Sequence, residues 1–216
     1  MTLEEAVEWS KRSTCATILC GGQGKRLGGI NKGELMLFGE RYIDRVIKVA
    51  MELSPSVSLA GKHAELFASS DLDILEDDQT FSGQLGGIAS AFQWALENQK
   101  EWIWLFACDL PLLTVSSLSP LMEKAQHCEN SCCGVVYHDE IDFKLHPLAG
   151  LWRTDGLERL KRAKTLGLTG LIKSEGVSVS TRSIPVEAHG INPLHNINCP
   201  EDLRLLSDLD PDAQLC

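Results

Sequence analysis

The residues most clearly suited to chemistry are three cations, Lys25, Arg26 and Lys32, in a glycine-rich stretch. Five glycines share this stretch, residues 16–32, which begins with the short apolar run Ala16 to Cys20. Glycines let backbone N–H groups approach a ligand closely, because no Cβ stands in the way. Cations at the end of a strand, where open α/β sheets bind ligands, suit a polyphosphate. The pattern therefore predicts a phosphate-binding loop, and a plain turn with solvated charges is the alternative.

Two common phosphate-binding motifs do not fit this loop. A Walker A loop needs Ser or Thr after its Gly-Lys pair, and Arg26 stands there instead. A dinucleotide fingerprint starts at Gly22, but Leu27 occupies its closing glycine position. The pattern that remains is L-x-G-G-x-x-x-R-x-G-G-x-x-K, from Leu19 to Lys32.

A second candidate, Asp109, follows the continuous apolar run of residues 101–108. Such a run is typical of a central parallel strand covered on both faces, and a carboxylate at its end points into the ligand crevice. A hard carboxylate there suits Mg²⁺ that bridges triphosphate oxygens. The alternative is a helix cap, but Thr114 is better placed to cap the helix predicted over residues 115–127. The sequence therefore predicts Asp109 as a metal ligand.

A second glycine-rich loop, residues 82–87, leads into a helical pattern over residues 88–96. The exposed amides of a helix N-terminus favour an anion. Alternatively, Gly86 and Gly87 simply let the helix pack closely on the sheet. Local sequence does not decide between these two interpretations.

Strands and helices alternate along the chain at the spacing of βαβ units. Helices are expected at residues 2–12, 41–53, 64–68 and 155–174, and extended segments at 34–38, 57–60, 72–75, 131–137, 146–152 and, as a strand pair, 177–186. This order predicts an α/β fold, a single three-layer α/β/α domain with a mainly parallel, Rossmann-like sheet. We expect an N-terminal helical extension over residues 1–14 and the domain itself over residues 15–210.

Composition narrows the class of protein further. The net charge of −10 argues against nucleic acid or an anionic membrane as a partner. No apolar stretch approaches the roughly 20 residues that span a bilayer, and the acidic N-terminus lacks the apolar region of a signal peptide. The eight cysteines form no C-x-x-C pair, which favours reduced thiols. We therefore expect a cytoplasmic protein.

The loop from Leu19 to Lys32 resembles the signature of nucleotidyltransferases that activate small phosphorylated molecules with an NTP. In particular, it is similar to the loop of the molybdenum cofactor guanylyltransferase family. Three later segments carry the same resemblance: the glycines of residues 82–87, the D-x-P-x-L motif at Asp109, and an ending over residues 195–203 similar to N-x-N-T-P-E-E/D-L. The resemblance thus covers nearly the whole chain.

The resemblance implies roles for individual residues. Nucleotide contacts are expected at Leu19, Cys20, Gly21, Gly22, Lys32, Asp77 and Asp109. Arg26, Lys32 and Asp109 are expected to act in catalysis together with Mg²⁺ on Asp109. His146 and Asn196 are placed on the acceptor side, although a lone histidine is more often structural.

The activity implied by the resemblance is transfer of GMP from GTP to the terminal phosphate of molybdopterin, with release of pyrophosphate. Other partners implied are proteins of molybdenum cofactor biosynthesis or acceptor apoenzymes. The pair Gly21-Gly22 favours GTP, since cytidylyltransferases tend to have Ala-Gly there. Residues 58–61 lack an asparagine that the family often uses to contact the nucleotide. A cytidylyl- or sugar-nucleotidyltransferase, or a non-catalytic nucleotide carrier, remains the alternative.

Overall fold

Nine strands and six α-helices lie within the part of the chain that the computed structural model describes: residues 1–21, 31–162, 167–185, 191–197, 202 and 206. The strands are β1 (Thr14–Leu19), β2 (Met36–Leu37), β3 (Glu40–Arg41), β4 (Val57–Ala60), β5 (Asp73–Leu75), β6 (Trp102–Ala107), β7 (Gly134–His138), β8 (Leu145–Arg153) and β9 (Val177–Ser180). The helices are α1 (Leu3–Ser13), α2 (Tyr42–Leu53), α3 (Gln84–Glu97), α4 (Val115–Gln126), α5 (Gly156–Arg162) and α6 (Gly167–Glu175).

Seven of these strands form one sheet in the order β5-β4-β1-β6-β8-β7-β9. The pairs β5-β4, β4-β1, β1-β6 and β7-β9 are parallel, whereas β8 runs antiparallel to both β6 and β7. β2 and β3 form a separate small hairpin. The predicted single α/β domain with a mainly parallel sheet is confirmed.

The two central strands, β1 and β6, are buried at every position. Their side chains alternate between two apolar cores, one on each face of the sheet. Trp104 and Phe106 pack in the core that also contains α2 and α4, while Ile103 and Leu105 pack in the core against α3. A strand covered on both faces must be apolar throughout, which explains the continuous apolar run.

The helix α1 packs on this sheet through a buried polar contact. Thr2 and Glu5 form a capping box that starts the helix. Ser10 is fully buried, and its Oγ accepts a hydrogen bond of 2.9 Å from Nε1 of Trp104. None of the helices in the described ranges is long and apolar enough to cross a membrane.

The structure corrects one predicted element and adjusts others. The strand pair expected over residues 177–186 is a single strand, β9, followed within the described residues by a 3₁₀ helix at Thr181–Ser183. Ser180 ends the strand because its Oγ accepts from the backbone N–H of Arg182, which competes with strand pairing. The helix expected at residues 64–68 is a 3₁₀ turn, and β7 starts three residues later than expected. Thr114 caps α4 as predicted.

Candidate active site

Three side chains meet at the carboxyl end of the two central strands. Nζ of Lys32 lies 2.7 Å from Oδ2 of Asp109, and Nδ2 of Asn196 donates a hydrogen bond of 2.9 Å to Oδ1 of the same carboxylate. The Lys32 and Asp109 side chains are only 20% and 12% exposed. An ion pair this sheltered from water is more strongly coupled than a surface pair. We call Lys32, Asp109 and Asn196 the central cluster.

Local structure fixes the lysine of this cluster. The Oδ1 atom of Asn31 accepts from the backbone N–H of Gly33 and caps a 3₁₀ helix at Lys32–Glu34. Gly33 lies so close to its neighbours that an added Cβ would come within 2.9 Å of the Phe67 ring. The turn that carries Lys32 therefore packs directly on the core.

Backbone hydrogen bonds fix the rest of the cluster. The N–H of Cys108 donates to the carbonyl oxygen of Leu19 at 3.4 Å, which continues the β1-β6 pairing to the last residue before Asp109. The N–H of Ile197 donates to the carbonyl oxygen of Asp109 at 3.2 Å. This bond places Asn196, which lies 87 residues away in the sequence, next to the carboxylate.

Three adjoining cavities surround the cluster. The central cavity, of about 250 Å³, contains the cluster itself. Its other described lining residues are Leu19, Cys20, Gly21, Asn31, His63, Gln84, Ala107, Cys108 and Leu148. A second cavity of about 480 Å³, the β4-β5 cavity, shares Leu19, Gly21 and Gln84 with it. A third cavity, of about 180 Å³, lies against the β7-β8 hairpin and is lined by residues 144–149 with Leu110 and Asn196; we call it the hairpin cavity. It shares Leu148 and Asn196 with the central cavity. The three form a crevice along the sheet edge.

Asp77 lies on the β4-β5 cavity, shortly after the end of β5. Its Oδ1 atom is buried and makes no hydrogen bond within the described part of the chain. A buried carboxylate oxygen without a donor is costly, and a ligand with N–H or O–H groups would satisfy it. Asp77 is thus placed to accept a hydrogen bond from a molecule in this cavity.

The second glycine loop packs against this aspartate. An added Cβ on Gly87 would lie 3.0 Å from Oδ1 of Asp77, and one on Gly86 would lie 3.0 Å from the carbonyl oxygen of Asp78. Both glycines fall within the first turn of α3, which starts at Gln84. Close packing of α3 on the loop after β5 therefore requires these glycines, as one of the two interpretations of the sequence proposed.

The turn after β4 also reaches the crevice. Gly61 has a φ of +100°, and an added Cβ would lie 3.0 Å from the backbone nitrogen of Gly21. Ser58 points away from the crevice and hydrogen-bonds to Thr17 in the core at 2.7 Å. Residues 58–61 therefore offer no side-chain amide to a nucleotide, and Lys62 lines the β4-β5 cavity instead.

His146 lies in the hairpin cavity, where the resemblance placed the acceptor side. It is 8% exposed, and its Nε2 lies 3.0 Å from Oδ2 of Asp139. Both residues predicted for the acceptor side therefore line the hairpin cavity, but their direct partners differ: Asn196 binds Asp109, whereas His146 pairs with Asp139 of the β7-β8 loop.

Two cysteines line the central cavity without being suited to nucleophilic chemistry. Burial raises the pKa of the Cys108 thiol to about 12, and the neighbouring Asp109 charge adds to the rise. Burial likewise raises the pKa of Cys20 well above its ordinary value. Both thiols stay protonated near neutral pH, and the thiolate is the reactive form.

Two predicted site residues, Gly22 and Arg26, fall outside the residues that the structure describes. Within those residues, no group of three or more His, Cys, Asp or Glu side chains could hold a metal ion. Sequence reasoning missed His63 and Gln84, which line the central cavity. The position of His63, three residues after the end of β4, is the signal that could have identified it.

A crevice at the carboxyl ends of parallel strands is where open α/β sheets bind ligands, and sequence comparison shows that the class is nucleotidyltransferase. Residues 16–179 match the family model described as MobA-like NTP transferase domain, and the chain belongs to this family. The predicted enzyme class, nucleotidyltransferase, is confirmed.

Individual relatives carry more specific names. The chain is 26% identical over 204 residues to the molybdenum cofactor guanylyltransferase of Mesorhizobium japonicum, covering 89% of this chain and 94% of the relative. It is 30% identical over 194 residues to that of Cereibacter sphaeroides, covering 86% and 91%.

Two solved structures show the fold. Molybdopterin-guanine dinucleotide biosynthesis protein A from Archaeoglobus fulgidus superposes with a TM-score of 0.70 at 20% identity, covering 90% of this chain and 97% of that one. The 4-diphosphocytidyl-2C-methyl-D-erythritolsynthase from Anaerococcus prevotii gives 0.63 at 10% identity, covering 94% and 98%. The fold is thus shared by proteins with different names.

Proposed function

We propose that the protein transfers GMP from GTP to the terminal phosphate of molybdopterin and releases pyrophosphate. The observation that carries the proposal is the position of the central cluster, between the β4-β5 cavity with Asp77 and the hairpin cavity with His146. A reaction that joins two phosphorylated molecules needs a charged centre between two binding sites. The names of the relatives, which mention a guanylyl group and the molybdenum cofactor, support the choice of the two substrates.

The reaction at this centre is an in-line displacement. An oxygen of the acceptor phosphate forms a bond to the α-phosphorus of GTP, and the bond from that phosphorus to the oxygen bridging to the β-phosphorus breaks. The leaving pyrophosphate takes the electron pair. No general base is needed, because a phosphate monoester is already ionised near pH 7. Catalysis then depends on positioning and on compensation of negative charge.

Lys32 provides that compensation in our proposal. Its ammonium group is pre-positioned at the centre by the 2.7 Å contact with Asp109 and by the 3₁₀ turn that carries it. Asn196 holds the other oxygen of the carboxylate, so Asp109 keeps its orientation when the lysine turns towards phosphate. Asn196 thereby acts as a positioning residue.

Asp109 also fits a divalent cation. It is a single, largely buried carboxylate that lines the cavity, and the described residues supply no larger ligand set. Mg²⁺ is commonly held by one or two carboxylates together with substrate phosphates and water. When bound, it would supply further charge neutralisation on the triphosphate.

The choice of GTP rests on Gly21. This glycine lines both the central and the β4-β5 cavity, and an added Cβ would have no atom of the described residues within 4 Å. The absent methyl group therefore adds directly to the space available for a purine. Asp77, with its buried Oδ1, is our candidate for the hydrogen-bond acceptor of the nucleoside.

The test is incubation of the protein with Mg²⁺, molybdopterin and each NTP in turn, followed by mass spectrometry of the product and a pyrophosphate assay. We expect a guanine dinucleotide and one pyrophosphate per product from GTP. A cytosine dinucleotide from CTP at an equal or higher rate would assign the protein to the cytidylyltransferases. Binding of GTP without pyrophosphate release, with authentic acceptor present, would favour the nucleotide carrier.

A further inference from the structure

The loop between β7 and β8, residues 139–144, lies at the crevice edge of the sheet. β6 ends at this edge, and β8, which runs antiparallel to it, therefore begins there. His138 at the end of β7 pairs with Leu145 at the start of β8, so the loop closes a hairpin beside the hairpin cavity.

Phe143 is presented by this loop in an unusual way. Its side chain is 69% exposed, and its ring stacks on that of His138, with ring centroids 5.7 Å apart and an angle of 12° between the planes. Its φ is +53°, a region that costs free energy for a bulky residue. An exposed aromatic ring held in a strained conformation needs a reason beyond packing, since burial gains it little.

Hydrogen bonds hold the loop in this conformation. The backbone N–H of Phe143 donates to the carbonyl oxygen of Asp139 at 3.0 Å. The backbone N–H of Asp139 in turn donates to the carbonyl oxygen of Lys144 at 3.0 Å. The carboxylate of Asp139 binds the buried His146. The ring of Phe143 is therefore positioned before any ligand arrives, which lowers the entropic cost of binding.

The position of the ring in the sheet order fits the acceptor better than a nucleotide bound at Asp77. Asp77 follows β5, and β7 lies five strands further along the sheet. Strands are about 4.8 Å apart, so the two sites are separated by roughly 24 Å. Asp109 follows β6, only two strands from β7, or roughly 10 Å. A molecule of two or three fused rings that carries one phosphate spans the shorter distance.

We propose that His138 and Phe143 form a stacking platform for the planar heterocycle of the phosphorylated acceptor. The ring system lies on the exposed face of Phe143, Lys144 at the cavity wall attracts its negative charge, and its phosphate extends to Asp109 and Lys32. This inference rests on the proposed function for the identity of the acceptor, a phosphorylated pterin.

A binding experiment tests the platform without turnover. A fluorescent oxidised pterin carrying one phosphate is titrated into the protein, and GTP is titrated separately by calorimetry. Stacking on one aromatic side chain changes affinity by about tenfold. We expect Phe143→Leu to raise the Kd for the pterin phosphate about tenfold, Phe143→Tyr to stay near wild type, and GTP affinity to be unchanged in both.

Ile141 provides the matched control, because it is 96% exposed in the same loop and belongs to no ring contact. Ile141→Ser is expected to leave pterin affinity unchanged. Equal losses of pterin affinity in Ile141→Ser and Phe143→Leu would indicate a general apolar contact and overturn the platform. Unchanged pterin affinity in Phe143→Leu, or no binding by the wild type, would also overturn it. Far-UV circular dichroism of each variant excludes misfolding.

The outcome is separable from that of the proposed function. Pterin binding that depends on Phe143, in a protein that transfers no GMP, would refute the activity and leave the platform standing. Transfer of GMP with normal acceptor KM in Phe143→Leu would refute the platform alone.

Discussion

Replacement of Lys32 by methionine separates its charge from its bulk. Methionine keeps most of the aliphatic stem, so packing of the 3₁₀ turn on Phe67 and Ile43 should survive. The substitution removes the ammonium group 2.7 Å from Asp109. If our proposal is correct, it also removes charge compensation in the transition state.

The two effects have different magnitudes. Loss of one pre-positioned charge contact typically reduces kcat about a hundredfold. The Lys32–Asp109 ion pair is intermediate in burial. Exposed ion pairs stabilise a protein by up to about 1 kcal/mol, and disruption of fully buried pairs costs about 3–5 kcal/mol. With side chains 20% and 12% exposed, we expect a loss of about 1–2 kcal/mol in the free energy of unfolding. For a chain of this size that lowers Tm by about 2–8 °C.

Both quantities should be measured on one preparation, with kcat from pyrophosphate release and Tm from calorimetry. Lys48→Met is the control, because Lys48 also pairs with a carboxylate, that of Glu40, but is 61% exposed and lines none of the three cavities. We expect its kcat to equal that of the wild type. A Lys32→Met protein with a lowered Tm but a wild-type kcat would mean that Lys32 is structural, and our reasoning would be wrong.

Three further predictions follow from single contacts. Asp109→Asn should fold with an unchanged circular dichroism spectrum and lose nearly all turnover at physiological Mg²⁺; a wild-type rate would remove the metal role. Gly87→Ala places a methyl group 3.0 Å from Oδ1 of Asp77 and should weaken GTP binding about tenfold by calorimetry, without changing acceptor KM. Tyr137→Phe removes the buried 2.6 Å hydrogen bond to the carbonyl oxygen of Ser117 and should lower the free energy of unfolding by about 1 kcal/mol in urea titration, with kcat unchanged.

Site residues could be predicted from the sequence where their position depends on the end of a single strand. Lys32 and Asp109 could be singled out because each follows an apolar run, and strand ends of a parallel sheet meet at one edge. The central strands were recognisable because burial on both faces leaves no polar positions. Element types were therefore predictable for β1, β6 and α4, and so was the overall fold.

Contacts between distant segments were not predictable in the same way. Asn196 reaches Asp109 through a backbone bond from Ile197, which no local pattern encodes. The residues 177–186 alternate as a strand does, and only the local hydrogen bond of Ser180 shows where the strand ends. The pairing of His146 with Asp139 likewise depends on the conformation of the β7-β8 loop.

The reversed direction of β8 has a consequence for how specificity can change. On the β4-β5 side the crevice wall consists of loops that lead from strands into turns and helices packed on the core, where Gly61 and Gly87 leave almost no free space. On the other side the wall is a hairpin tip, anchored at both ends by strand pairing. Its six residues can lengthen, shorten or be exchanged while the ladder below them stays intact. In our proposal, recognition of the donor and recognition of the acceptor are thus encoded in separate parts of the chain. We therefore expect that grafting residues 139–144 from a relative would change acceptor recognition and leave donor recognition unchanged.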